Sequence, residues 1–244
     1  MSRLKTSWYS DRLHKQVDVV RWGEVGKPVL FFPTAAADAE ECERFHMVDV
    51  LSDHLAGGRV KLYSVDSVAG RAWLQEDNST VRAARVQDAF DSFVYRELVP
   101  AIRADCNDDG IEIIACGPSI GAFNALAAIC RHPDVFEAAV CMSGTYDLSK
   151  FLEGPVTEEY FHSSPLHFLP HLHNEEHANR LRERFILLAH GEGNFEDPQQ
   201  SWRVADVLGA KGIPNRVDSW GKGYHHDWPT WREMLPTYLD ELLG

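Results

Sequence analysis

The stretch Ile-Glu-Ile-Ile-Ala-Cys-Gly-Pro-Ser-Ile-Gly, residues 111–121, decides the fold prediction. Its apolar first half predicts a short buried strand, and the small residues at 122–130 predict a helix. Gly-x-Ser-x-Gly is a weak pattern by itself, but between a strand and a helix it is typical of a nucleophile elbow. Such a turn holds its serine in strained backbone geometry with the hydroxyl exposed. We therefore predict that Ser119 is a nucleophile, with an ordinary glycine-rich turn as the alternative.

Outward from this motif, short apolar runs alternate with longer helical patterns. Such alternation predicts an α/β fold, a mostly parallel central sheet flanked by helices. No repeat or linker interrupts the pattern, so we predict one domain over residues 1–244, with a small lid or none. The predicted strands are residues 17–22, 28–33, 60–66, 111–116, 136–142, 185–189 and 216–220. The predicted helices are residues 39–55, 81–106 with a break at Pro100, 122–130, 198–208 and 228–243, whereas 70–79 predict a loop and 148–180 an irregular cap.

The composition is that of a globular chain with a strongly acidic surface. Hydrophobic residues make up 44% of the 244 residues, and the formal net charge is −13. That charge repels phosphate backbones, so we expect no nucleic-acid partner. The chain has no apolar run long enough to span a membrane and no signal-peptide core, so we expect no membrane association and a cytoplasmic location. The five cysteines lack Cys-x-x-Cys spacing and favour free buried thiols.

A serine nucleophile needs a base, and the chain offers 12 histidines. In folds with this elbow the order along the chain is serine, acid, histidine, with the histidine after the last strand. The loop at residues 221–228 follows the last predicted strand and contains His225 and His226. Adjacent side chains diverge, so only one of them can face the serine. We choose His226, because the terminal helix that begins next to it would anchor it.

The acid is expected in the loop that follows the predicted strand at residues 185–189. This loop contains Glu192, Glu196 and Asp197. Asp197 directly precedes a proline, which favours the alternative role of helix N-cap. Glu192 lies so close to the end of the strand that its side chain is poorly placed to turn toward a histidine. We therefore choose Glu196, with Asp197 second and Asp147, after an earlier strand, as an outside candidate.

Two backbone N–H groups are needed to bind the oxyanion of an acyl-transfer reaction. One should belong to Ile120, which directly follows the nucleophile. The other should come from the loop at residues 33–38, whose small residues allow close approach of a carbonyl oxygen. We choose Ala35 or a residue next to it. The alternative is that this alanine run only begins a helix.

Three segments resemble the Putative esterase family of α/β-hydrolases, which includes esterase D, feruloyl esterase domains and mycolyltransferases of the antigen 85 type. They are Gly-Pro-Ser-Ile-Gly-Ala-Phe-Asn-Ala at 117–125, Arg-His-Pro-Asp-Val-Phe at 131–136 and Ser-Gly-Thr-Tyr-Asp at 143–147. His-Asp-Trp-Pro, at 226–229, is similar to the histidine motif of bacterial members. The resemblance extends from about residue 22 to residue 243.

This resemblance implies the α/β-hydrolase fold and a serine-acid-histidine triad, and it supports His226 over His225. Feruloyl-type members commonly have aspartate where this chain has Asn194, whereas mycolyltransferase-like members use a slightly later glutamate, which would fall near Glu196. In the oxyanion loop the chain departs from the glycine-rich version, because it has Thr-Ala-Ala-Ala at residues 34–37.

Histidines and tryptophans outside these motifs are further candidates for site residues. Five histidines between residues 162 and 177 fit no standard metal-ligand spacing, so we expect no metal there. They lie in the irregular cap, where Phe161, Leu166 and Phe168 are candidates for substrate contact. Four tryptophans, at positions 73, 202, 228 and 231, are interpreted as core residues rather than pocket residues.

These features together predict a serine carboxylic-ester hydrolase that uses Ser119, His226 and Glu196 and passes through an acyl-enzyme. Its partner would be a small-molecule ester with a short acyl group, and no cofactor is expected. Two alternatives stay open: an acyltransferase with the same triad, and a non-catalytic binding protein with this fold. The oligomeric state cannot be read from the sequence, and a homo-oligomer is compatible with it.

Overall fold

Eight β-strands form one sheet in the computed structural model, which describes residues 2–75, 79–152 and 155–244. They are β1 Arg3–Ser10, β2 Lys15–Trp22, β3 Lys27–Phe31, β4 Val60–Val65, β5 Ile113–Pro118, β6 Phe136–Met142, β7 Phe185–His190 and β8 Asn215–Ser219. Their spatial order is β1-β2-β4-β3-β5-β6-β7-β8. The six strands from β3 to β8 are parallel, whereas β1 and β2 form a hairpin that joins β4 in antiparallel orientation.

Twelve α-helices lie within the same described ranges. They are α1 Glu41–Arg44, α2 Met47–Val50, α3 Ser52–Ala56, α4 Val68–Leu74, α5 Thr80–Phe93, α6 Val99–Cys106, α7 Ile120–Arg131, α8 Glu158–Ser163, α9 Pro165–Phe168, α10 Glu175–Arg182, α11 Pro198–Ala210 and α12 Trp228–Leu243. A π-helical turn, Val94–Leu98, joins α5 to α6, and 3₁₀ turns occur at Ser149–Phe151 and Leu169–His171.

The central strands are buried because their sequences are apolar on both faces. Every residue of β4 and β5 is buried, and so are all but one of the residues in β6 and in β7. Strands of this kind are typical of parallel sheets that are covered on both sides. The predicted α/β fold with a mostly parallel central sheet is therefore confirmed.

Helices cover both faces of this sheet and enclose two apolar cores. On one face, α1, α2, α3 and α12 pack on the strands through residues such as Met47, Leu51, Trp231 and Leu235. On the other face, α5, α6, α7 and α11 enclose the second core. Because both faces of β5 are covered, the residues at its carboxyl end are the part of this strand that can reach a ligand.

The chain reverses its direction of travel across the sheet between β3 and β5. From β3 it moves to β4 on one side, and from β5 it moves to β6 on the other side. The loops at the carboxyl ends of β3 and β5 therefore diverge, and such switch points form ligand-binding crevices. Here the crevice is narrow, because a Cβ atom on Gly117 would lie 2.5 Å from the carbonyl oxygen of Phe32, and one on Gly121 would lie 2.8 Å from that of Pro33.

The prediction of one continuous helix over residues 39–55 was wrong. The segment forms the three short helices α1, α2 and α3, and His46 between the first two is left-handed, with φ 63°. This break turns Phe45 onto Trp228 of α12, with ring centroids 4.8 Å apart and planes 4° from parallel. Contact with the terminal helix therefore overrides the local helical periodicity.

The prediction of a loop over residues 70–79 was also wrong in its first half. Helix α4 covers Val68–Leu74, while residues 76–78 lie outside the described residues. The glycine that suggested a loop serves a close contact, because a Cβ on Gly70 would lie 2.7 Å from the carbonyl oxygen of Ala35. Gly70 therefore lets α4 pack directly against the loop that follows β3.

Strand β1 was missed by the sequence patterns. Most of its side chains are exposed, because it is the edge strand of the hairpin and pairs with β2 alone. Its sequence therefore lacks the apolar run of a buried strand.

The helix at residues 81–106 is interrupted where a break was expected. The wider π-helical turn, Val94–Leu98, directly precedes α6, which has Pro100 in its first turn. Proline has no N–H and its ring clashes with the preceding helical turn, so the regular hydrogen-bond pattern is interrupted here.

Three of the four tryptophans interpreted as core residues are buried: Trp73, Trp228 and Trp231. Trp202 is 50% exposed on α11, which contradicts that interpretation.

Replacing Gly121 with alanine is expected to lower the free energy of unfolding by about 1–3 kcal/mol, as overpacking does. The new Cβ would collide with backbone carbonyl oxygens of Phe32 and Pro33, which cannot rotate away. Gly209→Ala is the matched control, because its Cβ on α11 would meet nothing within 4 Å. We expect this control to stabilise the protein by about 0.5 kcal/mol through helix propensity. Urea unfolding measures both, and equal effects of the two substitutions would contradict the close approach.

Candidate active site

Ser119 lies at the turn between β5 and α7 in a backbone conformation that side-chain-bearing residues rarely adopt. Its φ is 58° and its ψ is −123°. Two backbone hydrogen bonds hold the turn: Ser119 N–H donates to Met142 at 2.9 Å, and Thr145 N–H donates to the carbonyl of Ser119 at 3.2 Å. The residue is partly exposed although its neighbours are buried. This geometry is that of a nucleophile elbow.

Two backbone N–H groups at this elbow are candidates for binding an oxyanion. Ile120 is the first residue of α7, so its N–H has no acceptor within the helix. In the loop after β3, the N–H of Ala35 donates to no acceptor in the part of the chain that is described. The contact of Phe32 with Gly117 and Gly121 brings this loop to the elbow. The arrangement can stabilise negative charge that develops next to Ser119.

His226 and Glu196 lie near each other in the loops that follow β7 and β8. The distance from Nδ1 of His226 to Oε2 of Glu196 is 3.9 Å, which is longer than a hydrogen bond. The Glu196 side chain is 1% exposed and that of His226 is 22% exposed. The two loops are joined by a backbone hydrogen bond from His226 to Asn194 at 3.0 Å. The Glu196 carboxylate is thus buried beside a partly exposed imidazole.

Ser143 and Trp231 complete a network around this pair. Ser143, with φ 48°, donates its hydroxyl to Oε1 of Glu196 at 2.5 Å and accepts from Nε1 of Trp231 at 3.0 Å. The Trp231 ring lies edge to face with the ring of His226, with centroids 5.3 Å apart and planes at 83°. Trp231 therefore contacts His226 directly and holds Glu196 through Ser143. Sequence reasoning assigned neither side chain to the site, although Ser143 begins the Ser-Gly-Thr-Tyr-Asp motif and Trp231 lies two residues after the His-Asp-Trp-Pro motif.

The same loop connects the acid to the elbow. Ser143 binds Glu196, and two residues later Thr145 binds the backbone of Ser119. Ser143 N–H also donates to Ala189 at the end of β7, at 2.7 Å. Residues 143–145 thus bring the serine, the acid and the end of β7 to one edge of the sheet.

The other candidate acids have different partners. Exposed Asp197 precedes α11 and accepts from the side chain of Gln200 at 3.2 Å. Glu192 accepts from the hydroxyl of Ser219 at 2.7 Å. Asp147 forms an ion pair with Arg203 at 2.8 Å. Of these four candidate acids, Glu196 is the one that lies beside His226.

The two adjacent histidines have different environments. His225 is exposed, and its Nδ1 accepts the N–H of Asn194 at 2.8 Å. It therefore fixes the loop that contains Glu196, while His226 lies against Trp231.

An apolar cluster lies beside the two backbone donors. Ile120 packs with Trp73, Leu148 and Tyr160, and the side chain of Ala35 contacts the same cluster. Trp73 belongs to α4, in the segment for which the sequence predicted a loop. Leu166 and Phe168 are half-buried and pack against the large core that lies under α5, α6, α7 and α11, so their contact with a substrate stays a prediction.

The described residues include no group of three histidine, cysteine or acidic side chains that could hold a metal ion. Likewise, in the described part of the chain no helix is both long enough and apolar enough to cross a membrane.

The elbow at the carboxyl edge of a mostly parallel, helix-covered sheet defines the chain as an α/β-hydrolase. More specifically, the chain belongs to the family described as Putative esterase, whose model matches residues 56–242. The protein is therefore an esterase, an enzyme that hydrolyses carboxylic esters. No curated protein sequence matches the chain.

Solved structures with the same fold include three that the chain covers almost completely. A ferulic acid esterase is 17% identical with a TM-score of 0.76, and 99% of this chain matches 97% of that one. An S-formylglutathione hydrolase from Agrobacterium tumefaciens is 13% identical with a TM-score of 0.73, over 99% of this chain and 95% of that one. MPT51 (FbpC1) from Mycobacterium tuberculosis is 14% identical with a TM-score of 0.71, over 100% and 98%. At these identities the likeness establishes the fold.

Replacing Ser143 with alanine is expected to lower the free energy of unfolding by about 1–3 kcal/mol, because two buried groups lose a hydrogen-bond partner. A double-mutant cycle with Trp231→Phe isolates the shared hydrogen bond. We expect the double variant to lose about 0.5–3 kcal/mol less than the sum of the losses of the two single variants. Urea unfolding of the four proteins gives this coupling energy. Strict additivity would contradict the bond from Trp231 to Ser143.

Proposed function

We propose that this esterase hydrolyses carboxylic esters through an acyl-enzyme formed on Ser119, with His226 as base and Glu196 as acid. One observation carries the proposal: a serine in elbow geometry lies at the same sheet edge as a histidine backed by a buried glutamate. Backbone bonds along residues 143–145 connect the two parts. No cofactor or metal is required for this chemistry.

In the first step, the Ser119 oxygen forms a bond to the ester carbonyl carbon while His226 takes the hydroxyl proton. The carbonyl π electrons move to the oxygen and form an oxyanion. The free N–H groups of Ile120 and Ala35 bind that oxyanion. The oxyanion electrons then re-form the carbonyl as the carbon–oxygen bond to the leaving alcohol breaks, and His226 gives that alcohol the proton it took from Ser119.

In the second step, water replaces the alcohol. His226 takes a proton from the water as the water oxygen attacks the acyl carbon, and the Ser119–acyl bond then breaks with return of the proton to serine. Glu196 stabilises the imidazolium form of His226 in both steps. Closing the 3.9 Å separation to hydrogen-bond distance requires a movement of about 1 Å, and catalytic hydrogen bonds commonly tighten when substrate binds.

The substrate class follows from the wall beside the donors. Trp73, Leu148 and Tyr160 are buried and pack with Ile120, so this side of the elbow is apolar. An acyl group that contacts this wall would be uncharged, and a chain of 244 residues with this fold favours a small lid and therefore a short acyl group. Small-molecule esters of short carboxylic acids fit that description best.

We further infer a reducing, cytoplasmic location. All five cysteines, each within the described ranges, are free thiols. Burial raises the pKa of the Cys141 thiol to about 12 and that of Cys116 and Cys130 well above the usual range. Buried neutral thiols of this kind are compatible with a compartment that keeps cysteines reduced.

Ser119→Ala is expected to abolish labelling by a fluorophosphonate probe and to lower turnover of p-nitrophenyl acetate by about 10⁴-fold or more, because the attacking oxygen is removed. Ser52→Ala is the control, since Ser52 is exposed on α3, and it should be labelled like the wild type. Gel fluorescence and initial rates give the two readouts. Equal labelling of wild type and Ser119→Ala would refute the nucleophile assignment.

Glu196→Gln is expected to lower kcat by about 10²–10⁴-fold, because the amide cannot stabilise the imidazolium of His226. Asp197→Asn, one residue further, should retain nearly wild-type kcat, since Asp197 is exposed and contacts Gln200 instead. Steady-state kinetics with the same ester compares them. A large loss confined to the Asp197 variant would transfer the acid role to that residue.

A further inference from the structure

Glu41 is a buried carboxylate that takes no part in the triad. It is the first residue of α1 and is 6% exposed. Both of its oxygens accept hydrogen bonds from one residue: Oε2 from the backbone N–H of Thr34 at 2.8 Å, and Oε1 from the Thr34 hydroxyl at 2.5 Å. Glu41 therefore fixes both the backbone and the side chain of Thr34.

Thr34 precedes Ala35, whose N–H is a proposed oxyanion donor. The carbonyl of Thr34 accepts from Ala37 N–H at 3.3 Å, which closes the loop into a turn. From α4, the guanidinium of Arg71 donates twice to the carbonyl of Ala37, at 2.6 and 3.1 Å. The loop is thus held at both ends, and the peptide between these two fixed points carries the free N–H.

The charge on Glu41 has no cation in direct contact among the described residues. Arg44, the nearest basic residue in sequence, forms its ion pair with Asp38 at 2.7 Å. Burial raises the pKa of Glu41, and the two hydrogen bonds from Thr34 oppose that rise. A buried carboxylate without a counterion is unfavourable for stability, so its presence indicates a requirement for its two acceptor oxygens.

We propose that Glu41 is a positioning residue, which orients the loop at residues 33–37 so that the N–H of Ala35 points to the oxyanion. The inference rests on the proposed function of Ser119. A carboxylate suits this task because both of its oxygens accept hydrogen bonds, whereas a glutamine amide has one accepting oxygen and a nitrogen that donates. Glu41 acts through Thr34 and contacts no reacting atom.

Glu41→Gln in the full chain is expected to lower kcat for p-nitrophenyl acetate by about 10–100-fold, because a displaced oxyanion donor stabilises the transition state less. KM should change little, since the ester binds before negative charge develops. Glu43→Gln is the matched control on the same helix, because Glu43 is bonded to Arg3 and Trp22 rather than to the loop, and kcat should be unchanged.

Two further measurements separate positioning from folding. A trifluoromethyl ketone forms a tetrahedral adduct with an oxyanion, so its inhibition constant should rise in Glu41→Gln by the same factor as kcat/KM falls. Thr34→Ser keeps both hydrogen bonds and should retain activity, whereas Thr34→Val loses the hydroxyl bond and should show part of the loss. Circular dichroism at the assay temperature gives the folded fraction of each variant.

The proposal is overturned if kcat per folded molecule of Glu41→Gln equals that of the wild type, or if KM rises while kcat is retained. It is also overturned if ketone affinity is unchanged. Failure of the proposed function gives a different result, because the Ser119→Ala variant would then be as active as the wild type. A kcat loss with unchanged KM and weaker ketone binding supports the role of Glu41.

Discussion

The close approach of the chain after β3 to the elbow after β5 is the constraint on which the site depends. Gly117 and Gly121 lie against the carbonyl oxygens of Phe32 and Pro33, and a Cβ at either glycine would prevent this contact. The contact places the loop with Ala35 next to the first turn of α7. Because the backbone groups cannot rotate away as side chains can, the relative position of the two N–H groups is set by the packing of the sheet itself.

The remaining parts of the site reach this edge by a different route. Residues 143–145 bind the backbone of Ser119 at one end and the carboxylate of Glu196 at the other. Trp231 of α12 adds a second support, since it contacts the His226 ring and donates to Ser143. The proposed base and acid are therefore held by the connection after β6 and by the terminal helix, two segments that are distant in sequence.

The sequence predicted those parts of the fold in which local pattern and tertiary position agree. The apolar runs of the central parallel strands and the strand-turn-helix around Ser119 are of this kind, and the predicted strand Phe136–Met142 and helix Trp228–Leu243 have the same bounds in the structure. Where contacts between distant segments determine the local structure, the sequence pattern gave the wrong prediction. Gly70 indicated a loop but allows α4 to pack on Ala35, and the bend at His46 follows from stacking with Trp228. In the site, the loops that contain Ser119, His226 and Glu196 followed from strand order. Ser143, Trp231 and Glu41 are instead defined by hydrogen bonds that no sequence spacing encodes.

The order of the strands also determines how the sheet ends. Its two outer strands are β1 and β8, and in the described sheet each pairs with another strand on one side alone. The backbone groups on the other side of such an edge strand can form hydrogen bonds with a strand of another chain. Both carry charges: Lys5 on β1 pairs with Asp18, and Arg216 and Asp218 pair with each other on β8. An incoming strand would have to desolvate these ions. The same sheet that presents the elbow at its centre thus resists lateral growth into aggregates at its margins.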